Sequence, residues 1–188
     1  MNEKTSKKIL LFLVICILGT LIFLFCIIIA GIILSKNISR SNKFSASRED
    51  FEIVEKIIME DYEQNMQSYP KDGVVDYEII HSDDTGLYSY KYCYSDTIVE
   101  IDSKYTAAIE NIYTTYSNLT TDIWYGYIAI RGNEFIFWNY EKGDGQVIHS
   151  LNGQIPSGAI GTKNYNRETN LYFLGKDWYV YTPTKHHR

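Results

Sequence analysis

WYGYIAIRGNEFIFWNY, residues 124–140, reads as a β-hairpin near the middle of a sheet. Gly132-Asn133 is a two-residue loop of the kind that forms primed turns, whose twist suits antiparallel strands. It joins strands at 124–131 and 134–140. The loop sets the register, with Arg131 opposite Glu134, Ala129 opposite Ile136, Tyr127 opposite Trp138 and Tyr125 opposite Tyr140. Side chains alternate along a strand. One face is therefore Tyr125, Tyr127, Trp138 and Tyr140, and the other is Ile128, Ile130, Phe135 and Phe137. A hairpin apolar on both faces is expected to be central, with cover on each side.

Downstream, residues 141–145 read as a turn and 146–151 as a short strand ended by Asn152-Gly153. Residues 156–169 form a long loop without periodicity. Gly175-Lys176 then joins strands at 170–174 and 177–181. That spacing pairs Phe173 with Trp178 and Leu171 with Val180 as a core face. Tyr172, Tyr179 and Tyr181 fall on the opposite, exposed face.

Upstream, residues 103–119 read as an amphipathic helix. Tyr105, Ala108, Ile109, Ile112, Tyr113, Tyr116 and Leu119 mark its apolar stripe. Residues 74–80 and 87–94 read as strands around the turn-rich link His81-Ser82-Asp83-Asp84-Thr85-Gly86. In the second of them, Tyr88, Tyr90, Tyr92 and Tyr94 share one face, expected to be the buried one. Before them, Phe51, Val54, Ile57, Ile58, Tyr62 and Met66 recur at helical spacing. Ser47 with Asp50 predicts the N-cap of that helix, and Pro70 predicts its end near Ser68.

The expected fold is α+β: two amphipathic helices packed on a twisted antiparallel sheet of about five to seven strands, after one N-terminal transmembrane helix. The transmembrane segment is residues 9–34, 26 residues without a charge, Asn, Gln or Pro. As a helix it extends about 39 Å, and roughly 20 apolar residues suffice to cross a bilayer. It is longer than the 7–15 apolar residues typical of a cleaved signal, and no small-residue cleavage site follows it. Lys4, Lys7 and Lys8 precede it, while Lys36, Arg40, Lys43 and Arg48 follow. A short basic tail followed at once by a long apolar run has the form of a signal anchor, with the N-terminus cytoplasmic and the rest outside. The division is a basic tail at 1–8, a membrane helix at 9–34, a basic stem at 35–46, a soluble domain at 47–183 and a tail at 184–188.

Residues 49–188 hold 11 Lys and Arg against 22 Asp and Glu, a net charge of −11. Phosphate binding needs a basic footprint, so a nucleic-acid partner is excluded. Only Cys93 lies beyond the membrane run, which excludes an internal disulfide and a cysteine metal set in the soluble part. Tyrosine is the outlier at 17 of 188 residues.

Catalytic signals are few. His81 with Asp83 and Asp84 is the most metal-like cluster, read as a polar turn. His149 and Ser150 are adjacent, so on a strand they point to opposite faces and form no catalytic pair. Cys93 becomes a nucleophile only if His81 or His149 approaches it. Glu141 and Asp144 could mimic a carboxylate pair for glycoside hydrolysis, but they flank Gly143 in a hairpin turn and are read as solvated. No catalytic residue, metal site or cofactor is expected. The candidate partner-binding residues are the aromatics Tyr125, Tyr127, Trp138, Tyr140, Tyr172, Tyr179 and Tyr181, since exposed aromatic rows suit stacking on sugars or docking a partner. Gly175-Lys176-Asp177-Trp178-Tyr179-Val180-Tyr181 resembles one strand pair of choline-binding cell-wall repeats. The likeness covers seven residues once, without a tandem array, and assigns no family.

The expected function is that of a membrane-anchored extracytoplasmic binding or accessory domain of a bacterial envelope, non-enzymatic. Its lipid contact is made by residues 9–34, and its partner is an envelope protein, a peptide or a wall polymer. The alternatives are an immunity or exclusion protein acting against a toxin or phage, and an envelope enzyme with an unrecognised site.

Overall fold

The computed structural model describes residues 3–65, 67, 69, 74–120, 123–138, 145–156 and 171–182, with side chains from residue 14 onward. Among them the class is α+β. The strands are β1 (Val75–His81), β2 (Tyr88–Tyr92), β3 (Ile98–Glu100), β4 (Tyr127–Arg131), β5 (Glu134–Trp138), β6 (Gln146–Ser150), β7 (Leu171–Gly175) and β8 (Trp178–Tyr181). They make one antiparallel sheet of eight strands in the order β3-β2-β1-β4-β5-β6-β8-β7. The helices are α1 (Glu3–Asn65) and α2 (Thr106–Thr120), the latter entered through a 3-10 turn at Ser103–Tyr105.

β4 and β5 occupy the centre in the expected register, Arg131 opposite Glu134 and Tyr127 opposite Trp138. Gly132 has φ +58 and Asn133 keeps a negative φ, as in a type II′ turn. Both faces of the pair are buried at Ile128, Ala129, Phe135, Ile136 and Phe137. The sheet exceeds the expected five to seven strands because of β3. Its three residues are all exposed and pair with β2 at the sheet edge. Three residues are too few for a period-two pattern to stand out.

The N-terminal helices differ more. The sequence suggests a membrane helix, a stem at 35–46 and a separate helix capped by Ser47. One helix, α1, runs through all three. Residues 35–46 contain neither Gly nor Pro, and extending an existing helix needs no new nucleus. Ser47 and Asp50 cap nothing. The Thr115 hydroxyl donates to Ser47 at 2.8 Å and the Asn111 amide to Asp50 at 3.4 Å, holding α1 to α2. The helix ends at Asn65, and Ser68 and Pro70 lie outside the described residues.

The chain divides into two compact units, Met1–Ser39 and Arg40–Arg188, the border falling inside α1. In the first, the large apolar side chains between Val14 and Leu34 are 41–67% exposed. A helix of a soluble core would bury such residues. This N-terminal helix contains a stretch long and apolar enough to span a membrane, consistent with a single-pass membrane protein. Thr20 donates its hydroxyl to the Ile17 carbonyl at 2.8 Å, so it needs no water there.

In the second unit, Phe44, Phe51, Val54 and Ile58 of α1 are buried with Ile109, Ile112, Tyr116 and Leu119 of α2. They form one core with the inner sheet face, including Tyr77, Ile128, Phe137 and Trp178. The outer face carries a smaller cluster of Ala129, Ile136, Trp138, Ile148, Tyr179 and Tyr181, to which neither helix contributes. A polar tie crosses the inner side: His149 Nδ1 on β6 lies 2.9 Å from both carboxylate oxygens of Glu55 on α1, its ring stacked on Trp178 at 4.4 Å.

The last hairpin is shifted from its expected register. Its loop is Lys176-Asp177, both with positive φ (47° and 65°), and a bulge lies between Phe173 and Gly175. Phe173 therefore pairs with Tyr179, and Tyr172 with Val180. A one-residue slip turns every side chain to the other face. Leu174 is buried and Phe173 is 59% exposed.

Candidate functional site

The site begins with an acid in an unusual place. Asp61 stands three residues beyond Ile58 and seven beyond Val54, so helical geometry sets it on the buried stripe of α1. A carboxylate there must find donors, because an unpaired buried charge is costly. Tyrosines supply them. Asp61 Oδ2 accepts from Tyr69 and Tyr77, each at 2.8 Å. Oδ1 accepts from Asn65 Nδ2 at 3.2 Å and from the Tyr90 hydroxyl at 3.4 Å. The Tyr77 hydroxyl is also 2.8 Å from that of Tyr69, so its single proton serves one of the two acceptors at a time.

The sheet brings these tyrosines to the end of α1. Tyr77 lies on β1 and Tyr90 on β2, and the alternation that aims them inward also aims Tyr92. The Tyr69 ring stacks on Tyr62 with centroids 5.7 Å apart, lies 4.6 Å from Tyr92, and Tyr92 lies 5.5 Å from Tyr94. The expectation of a buried tyrosine face holds for Tyr88 and Tyr90, but β2 ends at Tyr92 and Tyr94 is 76% exposed. Asp61, Tyr69, Tyr90, Tyr92, Tyr94 and Val99 line an open pocket of about 340 Å³. An adjoining depression shares Asp61, Tyr90 and Val99 and adds Glu60, Glu100 and Asp102. Lys91 also borders the pocket, and its ammonium pairs with Glu78 at 3.0 Å.

Burial, with the Asp61 charge added, pushes the Tyr90 hydroxyl up to about 12. Burial does the same for Tyr69, where the Tyr77 bond offsets part of the rise and Asp61 adds to it. Tyr77 is raised further, again first by burial. All three are donors at neutral pH. They hold their protons more tightly folded than unfolded, where tyrosine ionises near pH 10. Their contribution to stability is whole below about pH 10 and is lost as pH rises through about 12 and beyond. A tyrosinate absorbance titration is expected to show a late-ionising fraction near pH 12. Complete ionisation by about pH 11 with the fold intact would rule the cage out.

The aromatics singled out in the sequence are placed elsewhere. Tyr125 is 49% exposed, Tyr127 is half-buried, Trp138 and Tyr181 are buried, and Tyr179 is 9% exposed. Tyr140 lies outside the described residues. The register shift separates Tyr172 from Tyr179 and Tyr181: it packs against the inner core, with the Arg40 guanidinium 4.7 Å from its ring centre. The three do not form an exposed row. Asp61 and the Tyr69–Tyr92 pair are not among the candidate residues that the sequence marks. The available signal was an acid on the apolar stripe of a helix, facing a strand with alternating tyrosines.

His81, Cys93 and His149 do not converge. His81 sits at the exposed turn between β1 and β2, 3.2 Å from Asp83. The Cys93 amide bonds to the Asp76 carbonyl, five residues along β1 from His81 and so roughly 17 Å away at about 3.4 Å per residue. His149 is on β6, four strand spacings from β2, or roughly 19 Å. Partial burial of the thiol, then the Asp76 and Glu78 carboxylates, push Cys93 up to about 11, away from the nucleophilic thiolate, although the residue as a whole is exposed. Among the described residues no group of three or more His, Cys, Asp and Glu is placed to hold a metal ion. Glu141 and Asp144 lie outside the described residues.

Comparison with protein-family models, with curated proteins and with solved structures finds no match for the chain.

Proposed function

We propose that this chain is a membrane-anchored, non-enzymatic binding domain, displayed on the outer face of a bacterial membrane, whose tyrosine pocket takes a positively charged ligand. The observation that carries the reading is the Asp61 carboxylate, ringed by tyrosine hydroxyls in the wall of an open pocket. Two further features support it. The acids of the adjoining depression extend the same sign of charge, and the soluble part carries twice as many acids as bases. Such a field concentrates cations and repels polyanions. The ligand is then a cationic group on an envelope protein, a peptide or a wall polymer. The separation of His81, Cys93 and His149 favours binding over an envelope enzyme.

Two measurements test this. Alkaline phosphatase fused after residue 188 is expected to be active, since it matures only outside the cytoplasm; an inactive fusion beside a fluorescing cytoplasmic reporter reverses the orientation. The full chain in maltoside micelles, followed by tyrosine fluorescence, is expected to respond to organic cations and not to neutral sugars or carboxylates. A response to sugars or anions, or to nothing, overturns the reading.

A further inference from the structure

We propose, resting on that binding reading, that the pocket prefers a quaternary ammonium group over ammonium or guanidinium groups that carry N–H. What decides between these cations is what Asp61 has left to give. A carboxylate offers about four acceptor sites. Tyr69 and Tyr77 are directed at Oδ2, and Asn65 and Tyr90 at Oδ1. The charge remains, while most of the hydrogen-bonding capacity is engaged inside the protein, by Tyr69, Asn65 and Tyr90 and by Tyr77 whenever its proton is not turned to Tyr69. A primary ammonium or a guanidinium that approaches Asp61 must displace one of these donors or keep its N–H groups in the water at the open mouth, and displacing a donor leaves a protein hydroxyl unpaired, which is costly. A trimethylammonium head brings no N–H. It needs negative potential and aromatic surface, and both are present. Tyr69 and Tyr92 are inclined at 50°, and Tyr92 and Tyr94 at 61°, so the rings stand as walls at angles to one another. This is the arrangement that cation–π attraction uses for quaternary ammonium ligands. The volume of about 340 Å³ leaves room for the head group and part of what carries it. The same chemistry is found on a soluble or polymer-borne choline-type group and on a choline lipid headgroup.

The experiment titrates the full chain in maltoside micelles with tetramethylammonium, methylammonium and guanidinium chlorides at equal ionic strength. Tetramethylammonium is expected to bind about tenfold or more tightly than the other two, a difference of about 1.4 kcal/mol. Asp61→Asn is expected to weaken it by about tenfold. Tyr94 is 76% exposed and donates none of the cage bonds, so its variants keep the fold and carry the test if the Asp61 variant does not fold. Tyr94→Ala should weaken binding severalfold and Tyr94→Phe should retain it, because the ring and not the hydroxyl is used. Methylammonium or guanidinium binding as tightly as tetramethylammonium overturns the ligand class and leaves the binding reading standing. Absence of binding by all three overturns both. Reconstitution separates the sources: weaker apparent tetramethylammonium affinity in phosphatidylcholine than in phosphatidylethanolamine vesicles, each with the same fraction of phosphatidylglycerol so that the surface potential is equal, supports the class with a lipid headgroup as ligand. Equal affinity in both supports it with a soluble or polymer-borne group.

Discussion

Phe51→Ala is expected to destabilise the C-terminal unit by about 3–5 kcal/mol, the range for emptying a large aromatic site in a core. Phe51 is fully buried on α1. Its ring lies 5.4 Å from Phe44, 4.8 Å from Phe137 and 5.8 Å from Trp178, so it joins the helix to β5 and β8 at once. Removing it leaves a cavity walled by rigid rings on a sheet that collapses poorly. With a urea m-value of roughly 2 kcal/mol per molar, the midpoint falls by about 2 M. Tryptophan fluorescence reads this directly, since Trp178 is part of the wall. Lys56→Ala, on the exposed side of the same helix, is expected to stay within about 0.5 kcal/mol. Equal effects from the two substitutions would mean that α1 is not part of the core.

Gly126→Ala is the second large effect, about 3 kcal/mol, by a different cause. Gly126 has φ +83, and a Cβ built there would stand 2.4 Å from the carbonyl oxygen of Ile79. That oxygen is backbone in β1 and cannot swing aside. The Gly126 carbonyl accepts the Ile79 amide at 2.8 Å, so the contact fastens the start of β4 to β1. Gly132 is the comparison. Its φ is +58 and nothing lies within 4 Å of its added Cβ, so Gly132→Ala carries the conformational cost alone, about 1 kcal/mol. Equal losses at the two positions, measured by urea midpoint, would show that the steric part is absent.

What could be read in advance follows from how local the responsible interaction is. The Gly132-Asn133 hairpin was legible with its register because a two-residue turn leaves the strands little choice. The apolar stripe of α2 was legible for the same kind of reason: Ala108, Ile109, Ile112, Tyr116 and Leu119 repeat at helical spacing and are buried. The β7–β8 hairpin was not, because Lys176 and Asp177 take left-handed backbone that their residue types do not announce. The continuity of α1 was hidden too. Ser47 is a good cap in isolation, but the helix already running through it removes the need for one, and Thr115 of α2 uses its hydroxyl instead.

The candidate site was illegible for a stronger reason. Asp61 is on α1, Tyr77 on β1 and Tyr90 on β2, and nothing in their spacing says that their oxygens meet. By itself the sequence determined an apolar N-terminal helix, an acidic α+β domain and a central hairpin, because each rests on short-range periodicity or composition. Only the tertiary structure decided which tyrosines are core and which form a cage. That choice depends on where the end of one helix lands against a sheet, a contact between residues up to 29 positions apart.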